Sequence, residues 1–504
     1  MAPLLELRNI SKYFSGFCAN HEINLTVETG QVYGLLGENG AGKSTLMNIL
    51  YGLSQPDTGS IYIQGQKVKI TSPKKAIRHG IGMVHQHFML IPALTVVENI
   101  ILAMDEGSRI LMNKKAVADR ILALSDKYKL KVDPYAKVSE LTVGQQQRVE
   151  IVKAIYKDCC LLILDEPTAV LTPQEIEELC QMIRQFKAEE KSVIFITHKL
   201  REVMEVSDRI GVLRSGEKVA EVLPGETTKE ELAALMVGKS VQFAVEKKAV
   251  IPGKRVLEVS DLSVAHKDGH MAVDHLSLSV REGEIYGIIG VDGNGQSELV
   301  SAIAALTKRH SGSIRINGRE MSGASPKDVL DCGVSHIPED RQHMGIAIRR
   351  SLMDNLILYS YKNADLKNRK LLSWPKVKGF TNQLVEKYNI KTPDLEIAIG
   401  YLSGGNQQKA VVARELEKNP SLLLAVHPTR GVDIGAVEFI HKQIVAARNR
   451  GCAVLLVSTE MDEVLSLSDR IGVIYEGQIL GEMDQRDADI QEIGMLMAGS
   501  KKAG

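Results

Sequence analysis

The sequence predicts an α/β protein of two tandem domains, each with a mixed sheet core built around a glycine-rich phosphate loop. Three observations predict it. The loop occurs twice, as Gly37-Glu-Asn-Gly-Ala-Gly-Lys43-Ser44-Thr45 and as Gly290-Val-Asp-Gly-Asn-Gly-Gln296-Ser297-Glu298. Each copy is entered by a short apolar run and followed by a helical pattern. Further apolar runs, alternating with helical stretches, recur in the same order in both halves, which is the mark of α/β layers.

The elements follow in order. Val32 to Leu36 and Ile285 to Ile289 are buried strands leading into the loops, and Ser44 to Leu50 and Ser297 to Leu306 read as the helices that leave them. A helical middle comes next. Leu161 to Leu164 and Leu422 to Leu424, then Val193 to Ile196 and Val454 to Val457, are short buried strands. Gly37 and Gly290 lie 253 positions apart, as do Gln86 and Glu339, whereas Leu141 and Leu402, like His198 and Thr459, lie 261 apart. The second half therefore carries eight extra residues, expected between Glu339 and Leu402, around Tyr359 to Trp374. The join falls near Val241 to Val256, where Lys247-Lys248 and Pro252-Gly253 interrupt the patterns. Domains are expected over residues 1–245 and 255–500.

Composition bounds what such a chain does. Its 504 residues exceed one ordinary core, and 44% apolar with 25% charged residues is globular usage. Lys+Arg and Asp+Glu are equal at 62 each, so no long-range field for nucleic acid is implied. The six cysteines lack CxxC spacing, and adjacent Cys159 and Cys160 read as buried small residues in a reducing, cytoplasmic setting. Glu6 and Arg8 interrupt any early apolar stretch, so no signal peptide is expected. The uncharged stretch from Gly80 to Val97 carries Gln, Pro and two His and is too polar for a membrane span.

The chemistry concentrates in the first half. Backbone N–H groups from Gly37, Glu38, Asn39, Gly40, Ala41, Gly42 and Lys43 can wrap phosphate oxygens, the glycines permitting the dihedrals and the close approach. Lys43 adds a point charge, and Ser44, followed by Thr45, supplies a hydroxyl to Mg²⁺. Leu161-Leu-Ile-Leu-Asp165-Glu166-Pro-Thr168 places two carboxylates at the end of a buried strand. Asp165 suits Mg²⁺ through water, and Glu166 suits a general base acting on the attacking water. His198 ends another strand and can reach a γ-phosphate. Gln86 offers a carbonyl to Mg²⁺ or water.

In order and spacing these residues resemble the ATP-binding cassette (ABC) family, over nearly the whole chain twice. The resemblance implies two P-loop NTPase domains, each with a helical subdomain, and ATP with Mg²⁺ as ligands. It also implies an adenine-stacking aromatic, Phe14 or Tyr13. The family's Leu-Ser-Gly-Gly-Gln element opens a helix and touches the γ-phosphate held by the opposite cassette. The second half carries Leu402-Ser403-Gly404-Gly405-Asn406, close to that pattern, and the first half carries Leu141-Thr142-Val143-Gly144-Gln145, an altered version.

The second copy of the nucleotide site is stripped of its chemistry. Lys43 becomes Gln296, Asp165 becomes Val426, Glu166 becomes His427, His198 becomes Thr459 and Gln86 becomes Glu339. A glutamate facing phosphate would repel it. Drift alone would have eroded Ser403 to Gly405 as well. Head-to-tail pairing of the cassettes explains both facts: one competent composite site, made of the first loop, Asp165, Glu166 and His198, and closed by Ser403, Gly404 and Gly405.

Fused twin cassettes without a membrane segment, with Leu-Ser-Gly-Gly-Asn-Gln-Gln-Lys409 in the second, resemble the ATPase subunit of bacterial simple-sugar and nucleoside importers. Val84 to Leu90, Leu141 to Glu150 and His427 to Asp433 are closer to the nucleoside branch. The resemblance implies two integral-membrane permease subunits, an external solute-binding protein acting indirectly, no nucleic acid, and a peripheral position on the cytoplasmic face of the plasma membrane. Phe88 to Ile91 would take a permease helix, and Met344 to Leu352 its counterpart. The alternative is a soluble twin-cassette ATPase of the ribosome-associated translation-factor class. Those have two intact sites, a long charged linker and a basic bias, none of which this sequence shows.

Overall fold

Alternation of side chains along buried strands sets the layers in each half. The computed structural model describes residues 2–14, 17–38, 40–85, 88–104, 113–168, 171–197, 199–238, 247–248, 251–266, 269–369 and 371–499. The chain divides into two compact units, Met1–Val241 and Gln242–Gly504.

The strands of the first unit are, in chain order, β1 (Leu5–Phe14), β2 (Phe17–Val27), β3 (Val32–Gly37), β4 (Thr58–Ile63), β5 (Gln66–Val68), β6 (Ile81–Val84), β7 (Leu161–Asp165), β8 (Ser192–Thr197), β9 (Arg209–Arg214) and β10 (Glu217–Val222). A six-stranded sheet runs β10-β9-β3-β8-β7-β6, parallel except for β10. A four-stranded antiparallel sheet runs β2-β1-β4-β5. The central strands are buried on both faces, hence their unbroken apolar runs. Val32, Leu162, Leu164, Val193 and Phe195 face the helices of the middle segment and the helix Pro173–Ala188. Tyr33, Leu35, Leu161, Ile163, Ile194 and Ile196 face the helix Lys43–Leu50 and the antiparallel sheet. The two-residue period thus splits one strand between two cores.

The second unit repeats this plan. Its strands are β11 (Arg255–Ala265), β12 (Met271–Arg281), β13 (Ile285–Ile289), β14 (Ser311–Ile316), β15 (Arg319–Glu320), β16 (Val334–Ile337), the short hairpin β17 (Lys367–Asn368) and β18 (Leu371–Leu372), β19 (Leu422–Val426), β20 (Ala453–Ser458), β21 (Arg470–Tyr475) and β22 (Gln478–Asp484). Its sheets run β16-β19-β20-β13-β21-β22 and β12-β11-β14-β15. The helix after the second loop spans Gln296–Ile303, shorter than the expected run to Leu306, because Ala305 takes φ 56° and turns the chain away.

The extra residues of the second half are not one block. Equivalent helix caps lie 256 positions apart at Thr95 and Ser351 and 260 apart at Asn113 and Ser373. Three extra residues therefore enter before Ser351, beside the π-turn Arg341–Gly345, four enter before Ser373, around the β17–β18 hairpin, and one follows. Loops between fixed helix caps absorb insertions of a few residues at little cost.

Candidate nucleotide site

The first phosphate loop is shaped by three glycines, each for its own reason. Gly40 and Gly42 hold φ 82° and 96°, a region that disfavours a side chain. A Cβ on Gly42 would also collide with the Ala19 carbonyl, and one on Gly37 would sit 2.6 Å from the Leu213 carbonyl. Asn20, fully buried, donates Nδ2 to the Gly42 carbonyl at 3.1 Å and pins the loop end. Ala41 packs into the core. The first backbone bond after the loop joins Leu46 N–H to the Gly42 carbonyl, so the amides of Lys43, Ser44 and Thr45 open off the helix end as anion donors. Ser44 is exposed there and Thr45 half-buried.

Lys43 is buried and folds over the loop, donating Nζ to the carbonyls of Gly37 at 2.6 Å and Glu38 at 3.0 Å. Burial pulls its ammonium below the usual range, and the charges of Glu166, Asp165 and Glu38 push it back up. The lysine, both strand-end carboxylates and Glu38 therefore share one electrostatic neighbourhood. Asp165 closes β7 and is 6% exposed. Burial first, then the charge of Glu166, lifts it to about 6, against the pull of Lys43. Glu166 has φ 48°, rare for a side-chain-bearing residue, and its N–H bonds the Ile196 carbonyl at 2.9 Å. That backbone turn lifts the glutamate off the strand end. Thr168 behind it hydrogen-bonds buried Glu202.

The raised Asp165 sets a pH dependence with a definite sign. The folded chain binds this proton more tightly than the unfolded chain, so the group's contribution to stability is lost as pH rises from about 4 through about 6. The cost at pH 7 is on the order of 3 kcal/mol. Asp165→Asn is expected to stabilise the nucleotide-free chain at pH 7, with the advantage vanishing toward pH 4, read by urea unfolding at a series of pH values. A variant no more stable than wild type at pH 7 would contradict this.

Phe14 ends β1 and is 49% exposed, as is Tyr13, so neither is a core aromatic and either ring is available to stack on a base. Lys12 Nζ lies 5.4 Å from the Phe14 ring centre. Asn39, Gln86 and His198 lie outside the described residues.

The second loop keeps the shape and loses the charge. Gly293 and Gly295 have φ 89° and 95°, matching Gly40 and Gly42. Gln296 replaces the lysine and ties both ends of its amide into the loop, Nε2 to the Val291 carbonyl at 2.9 Å and Oε1 to Asn294 N–H at 3.0 Å. Ser297 donates its hydroxyl to Glu339 at 2.7 Å. Glu339 does not stand as a bare negative charge, because Arg430 Nη1 pairs with it at 2.6 Å and Nη2 reaches Asp292 at 3.4 Å. Asp292 and Arg430 escaped the sequence reading. Their signal was an aspartate at the position of Asn39 and an arginine three residues beyond His427.

The two signature helices also differ at their first turns. Thr142 caps Val143–Ile155 by accepting from Gln145 N–H at 3.3 Å, and Gln145 Oε1 accepts Thr142 N–H at 2.9 Å, a reciprocal capping box. Ser403 leads Gly404–Leu416 without capping it, its hydroxyl taken up by Asn406 Nδ2 at 2.9 Å. Its helix end is left with amide donors for another acceptor. Both glycines sit under neighbouring side-chain ends, since a Cβ on Gly404 would lie 2.7 Å from Arg341 Nη2 and one on Gly405 2.5 Å from Asp433 Oδ2, so a larger residue would have to displace them.

Comparison with known proteins agrees with this geometry. The family model described as ABC transporter matches residues 20–169 and 273–430. The chain is 46% identical over 496 residues to the nucleoside import ATP-binding protein NupA of Lactococcus lactis subsp. cremoris, covering 98% of each chain. It is 46% identical over 506 residues to the guanosine import ATP-binding protein NupO of Bacillus subtilis, covering 100% of this chain and 99% of that one. It is 39% identical over 505 residues to the ribose import ATP-binding protein RbsA 1 of Rubrobacter xylanophilus, covering 100% of both. With two phosphate-loop units and such relatives along its full length, this chain belongs to the ABC transporter family, as an ATP-binding protein carrying two cassettes in tandem.

Proposed function

We propose that this chain is the ATP-hydrolysing, energy-coupling subunit of an importer for a nucleoside or simple sugar, with one competent ATP site. The observation that carries the reading is one-sided chemistry on a shared scaffold. Lys43, Asp165 and Glu166 are gathered at the first loop, while the second keeps its glycine geometry with Gln296, Val426 and His427 in their places.

In this reading the amides from Gly40 to Thr45 and the Lys43 ammonium hold the phosphates of ATP, and Phe14 stacks on the base. Glu166, turned off the strand by its backbone, takes a proton from the water that attacks the γ-phosphate. His198 holds that phosphate and its water. Two crowded carboxylates, one with its pKa lifted to about 6, fit a divalent cation. Mg²⁺, when bound, would be held by Ser44, Gln86 and Asp165 and would offset charge developing on the transferred phosphoryl group. The helix led by Ser403, with Gly404 and Gly405, offers its first-turn amides to a γ-phosphate. Hydrolysis removes that contact, giving a ligand-biased two-state device.

The domain boundaries near residues 245 and 255 follow from the same repeat. Relatives named for nucleoside and guanosine import support a nucleoside over a ribose-type sugar. No helix among the described residues is long and apolar enough to cross a membrane, so solute passage falls to partners. Two permease subunits, served by an external binding protein, and a peripheral site on the cytoplasmic face complete the reading. Met89 and Ile91, 65% and 46% exposed, are available as apolar contacts for a permease helix. Capture of the chain from detergent extract should bring down hydrophobic membrane proteins. Recovery of ribosomes in their place would overturn it.

A further inference from the structure

The mouth of the second loop lacks the loop lysine and brings together a different set of polar side chains. Asp292 stands where the first unit has Asn39, Glu339 where it has Gln86, and His427 where it has Glu166. One ligand-type atom from each of Asp292, Glu339 and His427 lies within 4.8 Å of the others. Two carboxylates sharing one guanidinium, with no loop lysine beside them, leave negative charge that attracts a cation.

The second observation is His427 itself. It is 6% exposed, its backbone N–H is fixed to the Val457 carbonyl at 2.7 Å, and its ring makes no hydrogen bond to any described residue. Nε2 is aimed into the cluster, 3.8 Å from Asp292 Oδ1. A ring nitrogen that makes no hydrogen bond to the described residues, on a side chain held beside two carboxylates, is available to ligate a metal ion. On the outer side the half-exposed Arg430 guanidinium spans the same two carboxylates, the arrangement expected of a displaceable monocation. Ser297 meanwhile fixes the rotamer of Glu339 through its second oxygen.

We propose that Asp292, Glu339 and His427 form a nucleotide-independent site for a divalent first-row transition ion. One imidazole and two carboxylates favour Mn²⁺, Fe²⁺, Co²⁺ or Zn²⁺ over the all-oxygen preference of Mg²⁺ and Ca²⁺. The proposal stands apart from the assignment of ATP hydrolysis to the first unit.

The test is Mn²⁺ titration of the full-length, nucleotide-free chain carrying Asp165→Asn, which silences the first-unit carboxylate, with free Mn²⁺ counted by electron paramagnetic resonance. One Mn²⁺ per chain is expected. His427→Ala, and separately the half-exposed Glu339→Gln, should each weaken binding at least about tenfold. Arg430→Ala should tighten it, because the guanidinium no longer competes. Binding unaltered by both Glu339→Gln and His427→Ala, or none at millimolar Mn²⁺ even with Arg430→Ala, would overturn the proposal.

Discussion

Glu166→Gln is expected to cut ATP hydrolysis by ~10²–10⁴-fold while leaving ATP binding in place, the usual cost of losing a general base. Lys43→Ala is expected to bring hydrolysis to background by a different route. Removing the buried ammonium deprives the phosphates of their point charge and leaves Asp165, Glu166 and Glu38 without the cation that offsets them. An ATP tetra-anion then meets three carboxylates with no cation among them. Gln296→Ala, at the same place in the second loop, should keep most of the activity, because Gln296 serves only its own loop through Val291 and Asn294. The measurement is steady-state phosphate release with the import assembly intact. Comparable losses from Lys43→Ala and Gln296→Ala would refute single-site operation.

Ser403→Arg is the second large effect expected, as damaging as Lys43→Ala although 360 positions away in sequence. Ser403 is exposed and, among the described residues, its hydroxyl bonds only Asn406 of the same turn, so the substitution leaves the core alone. What it adds is bulk and charge over the open amides of the Gly404–Leu416 helix, where the γ-phosphate is proposed to dock. Thr142→Arg in the first unit supplies the contrast. It breaks a reciprocal cap worth about 1 kcal/mol and is expected to spare hydrolysis. Kinetics should show the Ser403→Arg loss in kcat with ATP affinity at Lys43 largely kept. Retained turnover in that variant would remove the signature element from the mechanism.

Much of this was legible in the sequence because the decisive signals are local. Val32 to Leu36 and Leu161 to Leu164 read as buried strands, each one residue short of the observed strand, their apolar residues alternating between two cores that both exclude water. Gly40 and Gly42 declare the loop because few other residues hold its left-handed backbone. Long-range pairing was not legible. Glu339 read as a phosphate-repelling charge, and its neutralisation by Arg430, 91 positions on, is a contact that sequence spacing does not report. The difference between Thr142 and Ser403 was equally hidden, since both are ordinary cap residues. Only geometry shows Thr142 closing its own helix while Ser403 turns to Asn406. The extra residues of the second half fall between Glu339 and Leu402 as expected, but their division among several loops was not legible, because exposed loops carry no periodicity to anchor an alignment.

One proposed phosphate site in a chain with two such loops makes a count, and the count is measurable. Equilibrium dialysis of radiolabelled ATP with Mg²⁺ against the Glu166→Gln chain, which holds ATP without consuming it, should saturate at one nucleotide per chain and fall to none when Lys43→Ala is added. Two bound nucleotides per chain, or one that survives Lys43→Ala, would contradict a single working pocket.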